Sequence, residues 1–202
     1  MIELIYPYDV APTVPAPTAD SKIEDPVAGE YFPVVETSGQ VIGRSTREYC
    51  HSGAKPLHPV IHIHIIDRYG RIYLQKRSMR KDIQPGKWDT AVGGHLDSGE
   101  DYLAGAVREL REELGLELPP EALQVLFDSP IRNGIESEDT RVFGVTHGGP
   151  FAFQKSEIDD VRFWRFSELR DPANFPLFTP NLVKELERLW EIPEIGKRWA
   201  QK

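Results

Sequence analysis

The sequence predicts an α/β (α+β) domain, with helices packed on a mixed central sheet, and three observations lead there. Val60, Ile61, Ile63 and Ile65 are interleaved with His62 and His64, a β-branched run that reads as a strand. Leu103, Ala106, Val107, Leu110 and Leu114 recur at spacings of three and four, which predicts an amphipathic helix over 102–114. Strand-like segments then recur at 123–127, 141–146 and 161–166, before a second amphipathic helix over 181–189.

Taken in chain order, residues 1–28 carry Pro7, Pro12, Pro15, Pro17 and Pro26, which interrupt any regular hydrogen-bond ladder. They read as an extended arm, and 29–202 as the domain proper. Tyr31 to Val35 and Gln40 to Val41-Ile42 form strand-like runs around a turn at Ser38-Gly39. The β-branched run over 59–66 meets a turn at Tyr69-Gly70 and a hairpin partner over 71–77. After Pro85-Gly86, a short strand from Trp88 to Val92 ends at Gly93-Gly94. Gly115 stands directly after the last periodic residue of the helix, where a C-terminus favours glycine.

The length of 202 residues fits one domain, and 40% hydrophobic with 28% charged residues is ordinary globular composition. No apolar run approaches the ~18 residues of a membrane span. The Met1-Ile2-Glu3 start has no basic segment or long apolar core of a signal peptide. The single cysteine, Cys50, can close no internal disulfide, so a reducing, cytoplasmic setting is expected. A net charge of -8 argues against a general nucleic-acid binder, whose affinity rests on clustered basic residues. An acidic protein can still hold phosphates through metal ions. The sequence sets no oligomeric state.

The informative segment is GHLDSGEDYLAGAVRELREELGL, residues 94–116. On the predicted helix Glu109, Glu112 and Glu113 share a face, read as lying opposite Leu103, Val107 and Leu110. Three crowded carboxylates repel one another, which raises their pKa values, and divalent cations such as Mg²⁺ relieve the repulsion through oxygen ligation. Arg108, four residues before Glu112 and eight after Glu100, is placed to pair with a carboxylate. A glutamate-rich helix alone is usually just a solvated face. Here a glycine loop (Gly93, Gly94, Gly99) precedes it, and nine fixed positions of one pattern are filled: Gly94, Glu100, Arg108, Glu109, Leu110, Glu112, Glu113, Gly115 and Leu116.

This segment resembles the signature box of the Nudix superfamily, whose members hydrolyse diphosphates linked to another moiety. The resemblance implies an α/β/α sandwich and Mg²⁺ or Mn²⁺ held by Glu109, Glu112 and Glu113 with the Gly94 or Gly93 carbonyl nearby. It also implies a glutamate acting as base on water, assigned to Glu109. Glu100 and Arg108 would support the loop and helix. A metal makes water a competent nucleophile near neutral pH and offsets charge on the leaving phosphate.

The stretch from Glu30 to the box is also similar to the isopentenyl-diphosphate isomerase arm of the superfamily. The matching features are His51 and His58, Arg77-Ser78 to Lys81, Pro85-Gly86, Trp88 and His95. That likeness implies a second metal site of His51, His58, His95, Glu136 and Glu138, suited to Mn²⁺, Zn²⁺ or Fe²⁺. It also implies diphosphate contacts from Arg77 and Lys81, with Arg47 a weaker candidate. His62 and His64 alternate on one strand and read as packing or surface residues, and Glu157 sits in an acidic, largely solvated stretch. The isomerase needs a cysteine where this chain has Gly93, and glycine cannot exchange a proton; Cys50 does not fill that position. The leading expectation is therefore metal-dependent hydrolysis of a small organic or nucleoside diphosphate. Its rivals are an isomerase-like enzyme and a non-catalytic diphosphate sensor.

Overall fold

The computed structural model describes residues 31–193 and 195, apart from 82 and 154; the arm expected over 1–28 lies outside the described residues. A hairpin comes first, from β1 (Tyr31–Val35) and β2 (Val41–Thr46), and a single-turn helix α1 (Arg47–Cys50) follows, capped by the Thr46 hydroxyl. The central strand β3 (His58–Ile66) is buried along its whole length, as a strand covered on both faces must be. Then come β4 (Ile72–Arg77), β5 (Trp88–Asp89), β6 (Val92–His95) and helix α2 (Tyr102–Leu114). β7 (Gln124–Asp128), β8 (Ile131–Arg132), β9 (Ser137–Thr146) and β10 (Ile158–Trp164) complete the strands. The short helix α3 (Phe166–Leu169) and helix α4 (Pro180–Glu191) close the described fold.

The main sheet runs β10-β4-β3-β9-β7, with β5 on β4, β6 on β3 and β8 on β9. Among the described strands only β3 and β9 pair in parallel, so the sheet is mixed. α2 covers one face over Ile61, Ile63, Ile65, Val92 and Phe143, which meet its Ala106, Leu110 and Leu114. α4 covers the other over Ile66, Ile72, Leu74, Val142 and Trp164, which meet Leu182, Leu186 and Leu189. This is the expected α/β/α sandwich. Among the described residues no helix is long and apolar enough to cross a membrane.

Several local expectations shift. The strand expected from Trp88 to Val92 is two strands on different partners, β5 on β4 and β6 on β3, and Gly93 and Gly94 lie inside β6 rather than in a loop. The run expected to end at 166 stops at Trp164, because the Arg165 backbone N–H donates to the Glu168 carboxylate (2.8 Å) and starts α3. β9 begins at Ser137 rather than 141, since it pairs with β3 from His58↔Glu138 to Ile66↔Thr146. In α2, Leu103 is exposed and Val107 only partly covered; Glu109 and Glu113 flank the buried stripe instead of lying opposite it. Positions four apart on a helix are only ~40° apart, so a flank of the apolar face carries both.

Candidate active site and metal centre

Asp101 caps α2 by accepting from the Ala104 N–H (2.8 Å), and Gly115 ends it in the left-handed conformation. These caps fix where Arg108, Glu109, Glu112 and Glu113 stand relative to β6. A Cβ on Gly94 would lie 2.2 Å from the Glu109 carboxyl, so only glycine lets that carboxylate reach the strand backbone. The Arg108 guanidinium donates to both Glu100 oxygens (2.9 Å each), to Glu109 (2.8 Å), to Glu112 (3.2 Å) and to the His95 carbonyl (2.9 Å). One cation thus ties the loop after β6 to the glutamate face of the helix. Burial would raise the Glu100 pKa, but Arg108 outweighs it and holds the carboxyl low.

Burial moves Glu109 up despite Arg108, and burial together with the Glu109 charge pushes Glu113 up to about 8. Glu112 is exposed. The Gln75 amide donates to Glu113 (3.3 Å), and Lys81, which pairs with Glu157, lowers it partially. A pair of carboxyls this reluctant to ionise together suits a site completed by a cation, and the space at Gly94 is the matching cradle. Lys81 and Glu157 therefore both belong to the surroundings of Glu113, although the Glu157 side chain stays 44% exposed, as its acidic stretch suggested. Arg77 is differently placed: its Nε donates to the Ile83 carbonyl (3.0 Å) and its Nη1 to Asp89 (3.2 Å), so two of its donor groups serve the β4–β5 corner.

The second constellation lies on the α4 face of the sheet. His51, His58, His95 and Glu138 each place one ligand atom so that all lie within 4.8 Å of one another. The Nε2 atoms of His51, His58 and His95 stand 3.9, 3.8 and 3.9 Å from the same Glu138 oxygen. His51 Nδ1 is 3.0 Å from the Arg47 carbonyl and His58 Nδ1 is 2.9 Å from the Pro56 carbonyl. An Nδ1–H donated to a carbonyl leaves Nε2 with its lone pair, the form a metal takes. His58 and His95 Nε2 are buried without a hydrogen-bond partner among the described residues. Burial holds His58 low and His95 well below its usual range, whereas Glu138 draws His51 up. Neutral imidazoles converging on one carboxylate fit a divalent transition metal. Phe32, 1% exposed, stacks on His95 with ring centroids 3.8 Å apart and closes this cluster from the hairpin side. Glu136 is outside the cluster; its carboxylate accepts from the Asn133 amide (3.1 Å).

Two features escaped the sequence reading. His62 and His64 are buried, and both bond the Glu185 carboxylate of α4, at 2.6 Å through His62 Nδ1 and 2.8 Å through His64 Nε2. The pairing joins residues more than a hundred positions apart, and a glutamate on an amphipathic helix gives no local sign of it. Phe32 likewise looks like any strand aromatic until the hairpin is folded over His95.

Comparison with known proteins places the domain in a family. The sequence model of the NUDIX domain matches residues 56–186. An uncharacterised Nudix hydrolase of Yersinia pestis is 37% identical over 166 residues, covering 80% of this chain and 85% of that one. An isopentenyl-diphosphate Δ-isomerase of Cutibacterium acnes is 33% identical over 109 residues, covering 54% of this chain and 52% of that one. The crystal structure of DR0079 from Deinococcus radiodurans superposes with a TM-score of 0.67 at 23% identity, over 79% of this chain and 98% of that one, a likeness of fold. By the matched domain, its hydrolase relatives and its sandwich fold, the chain belongs to the Nudix family and is a Nudix hydrolase.

Proposed function

We propose that this hydrolase cleaves a phosphoanhydride in a nucleoside or other small organic diphosphate, using Mg²⁺ or Mn²⁺ held by Glu109, Glu112 and Glu113 beside the Gly94 backbone. The observation that carries the reading is the cradle at Gly94, where the Glu109 carboxyl occupies the space any side chain would fill. A divalent cation held there would supply an acidified water and offset phosphate charge. Glu100 and Arg108 hold the helix face in place, and Glu109 is the assigned base. Lys81 stands beside Glu113 and offers a positive charge to the diphosphate; Arg77 would contribute through its remaining donor. His51, His58, His95 and Glu138 would hold a second ion, Zn²⁺, Mn²⁺ or Fe²⁺ by donor type, without Glu136.

An isomerase role is disfavoured by Gly93, which brings no proton-exchanging group to that position. The experiment is release of phosphate or pyrophosphate from nucleoside and isoprenoid diphosphates, with Mg²⁺, with Mn²⁺ and with chelator. Metal-dependent turnover of one class is expected. Double-bond migration in an isoprenoid diphosphate without hydrolysis would replace this reading with the isomerase, and binding without turnover would replace it with a sensor.

A further inference from the structure

The α4 face of the sheet carries a polar row that the hydrolytic machinery leaves unused. Strand register places His62 opposite Gly93 on β6, and Val60 opposite both His95 on β6 and Thr140 on β9. His62, Gly93, His95 and Thr140 therefore share one face. The Thr140 hydroxyl is buried and has no partner among the described residues. Glu185 holds His62 and His64 together, yet the two rings differ in what remains. His64 is wholly buried, with Nε2 on Glu185 and Nδ1 3.5 Å from the Thr90 hydroxyl. The His62 side chain keeps 11% of its surface; Nδ1 is spent on Glu185, and Nε2 makes no hydrogen bond among the described residues.

The free edge of that ring lies against an opening. Gly93 is exposed, and a Cβ placed on it would meet His62 Cδ2 at 3.3 Å and Nε2 at 3.6 Å. On the opposite face, the next residue, Gly94, has the Glu109 carboxyl in its Cβ space. Among the described strands β6 pairs with β3 alone, so its outer edge has no strand partner between these two side chains. Gly93 and Gly94 thus bring the His62 ring and the Glu109 carboxyl to the same short strand from its two faces.

We infer that His62 is a substrate-contacting, specificity-determining residue, oriented by Glu185 to donate from Nε2 to an acceptor oxygen of the bound diphosphate compound at the gap left by Gly93. The acceptor belongs either to the diphosphate or to the organic moiety, and the test below separates the two. The inference rests on the hydrolase reading for the position of the substrate.

The test compares two variants that each keep a contact to Glu185. An Asn amide stands in for Nδ1 and a Gln amide for Nε2, so His62→Asn keeps a contact to Glu185 but removes the outward donor with the ring's charge, while His64→Gln disturbs the same buried group with no donor facing Gly93. Affinity for ADP-ribose and for geranyl diphosphate is measured calorimetrically with Ca²⁺, independently of turnover, alongside thermal stability. For His62→Asn the expected result is at least a tenfold weaker ADP-ribose affinity, with His64→Gln unchanged. Loss for both ligands assigns the contact to the diphosphate, and loss for ADP-ribose alone assigns it to the organic part. Equal affinities in the two variants, or no ADP-ribose binding by the wild-type chain, overturns the inference. Failure of hydrolysis with this binding pattern intact would instead count against the hydrolase reading alone.

Discussion

At the scale of single residues, adjacent glycines serve opposite faces of one strand. Gly94 admits the Glu109 carboxyl on the α2 side, whereas Gly93 leaves the His62 ring uncovered on the α4 side. The group in the way at Gly94 is the far end of a flexible side chain, not backbone, so a methyl there displaces Glu109 rather than the strand. Gly94→Ala should therefore fold with little loss of Tm and lose about a hundredfold in kcat, the scale of a ~1 Å misplacement of a reacting group. Steady-state kinetics beside a melting curve checks this; a variant with normal kcat would mean that Glu109 need not approach the strand.

At the scale of elements, α4 is attached to the sheet by apolar packing, by its cap Thr179 on β5 and by a buried polar group, Glu185 between His62 and His64. His62 and His64 sum up what the sequence does and does not disclose. Their alternation revealed the strand and the shared face, because side-chain period is local. Their partner was invisible, because it depends on where α4 docks. The same division holds in α2. Its existence and glycine stop followed from apolar spacing, while the burial of Glu113 and its neighbours Gln75, Lys81 and Glu157 required β4 and β10 to be folded beside it. The metal-type cluster was legible through family likeness in His51, His58, His95 and Glu138; Glu136 is diverted because the turn before β9 uses it to bond Asn133.

The Glu185 group also gives α4 a pH signature. Burial opposes ionisation of Glu185, but the two histidines prevail and lower it from 4.5 to about 2, so its contribution is present above pH 4.5 and fades as pH falls toward 2. His62 is raised from 6.5 to about 9, so its contribution is full below pH 6.5 and is lost as pH rises through 9. The stabilisation is greatest between 4.5 and 6.5. Glu185→Gln should cost about 3–5 kcal/mol in that window, the usual cost of breaking a buried pair, and less toward pH 9. Denaturant melts of both proteins across pH test it; a difference independent of pH would contradict the assignment.

At the scale of the whole molecule, the hairpin and α1 contribute Phe32 and His51, both upstream of the matched Nudix stretch, to a cluster otherwise built on β3, β6 and β9. An ion there would join the N-terminal unit to the sandwich, since metal affinity becomes folding free energy when the ligands come from separate elements. Adding Zn²⁺ or Mn²⁺ to chelator-treated protein should raise Tm by several degrees, and His51→Ala should abolish the rise. Equal responses in the two proteins would place the ion elsewhere.

The glutamates proposed to hold a catalytic cation sit on the other side of the sheet, at the join of β6 and α2, and the central proposal is that this cation drives hydrolysis. The most direct measurement is the metal-dependent hydrolysis rate of Glu113→Gln against the wild-type chain, on whichever diphosphate the wild type turns over. The account predicts a fall of about a thousandfold or more in kcat with Tm preserved, because the amide keeps the shape and removes the charge that holds the cation. A variant that hydrolyses the compound at the wild-type rate, with the same dependence on Mg²⁺, would contradict it.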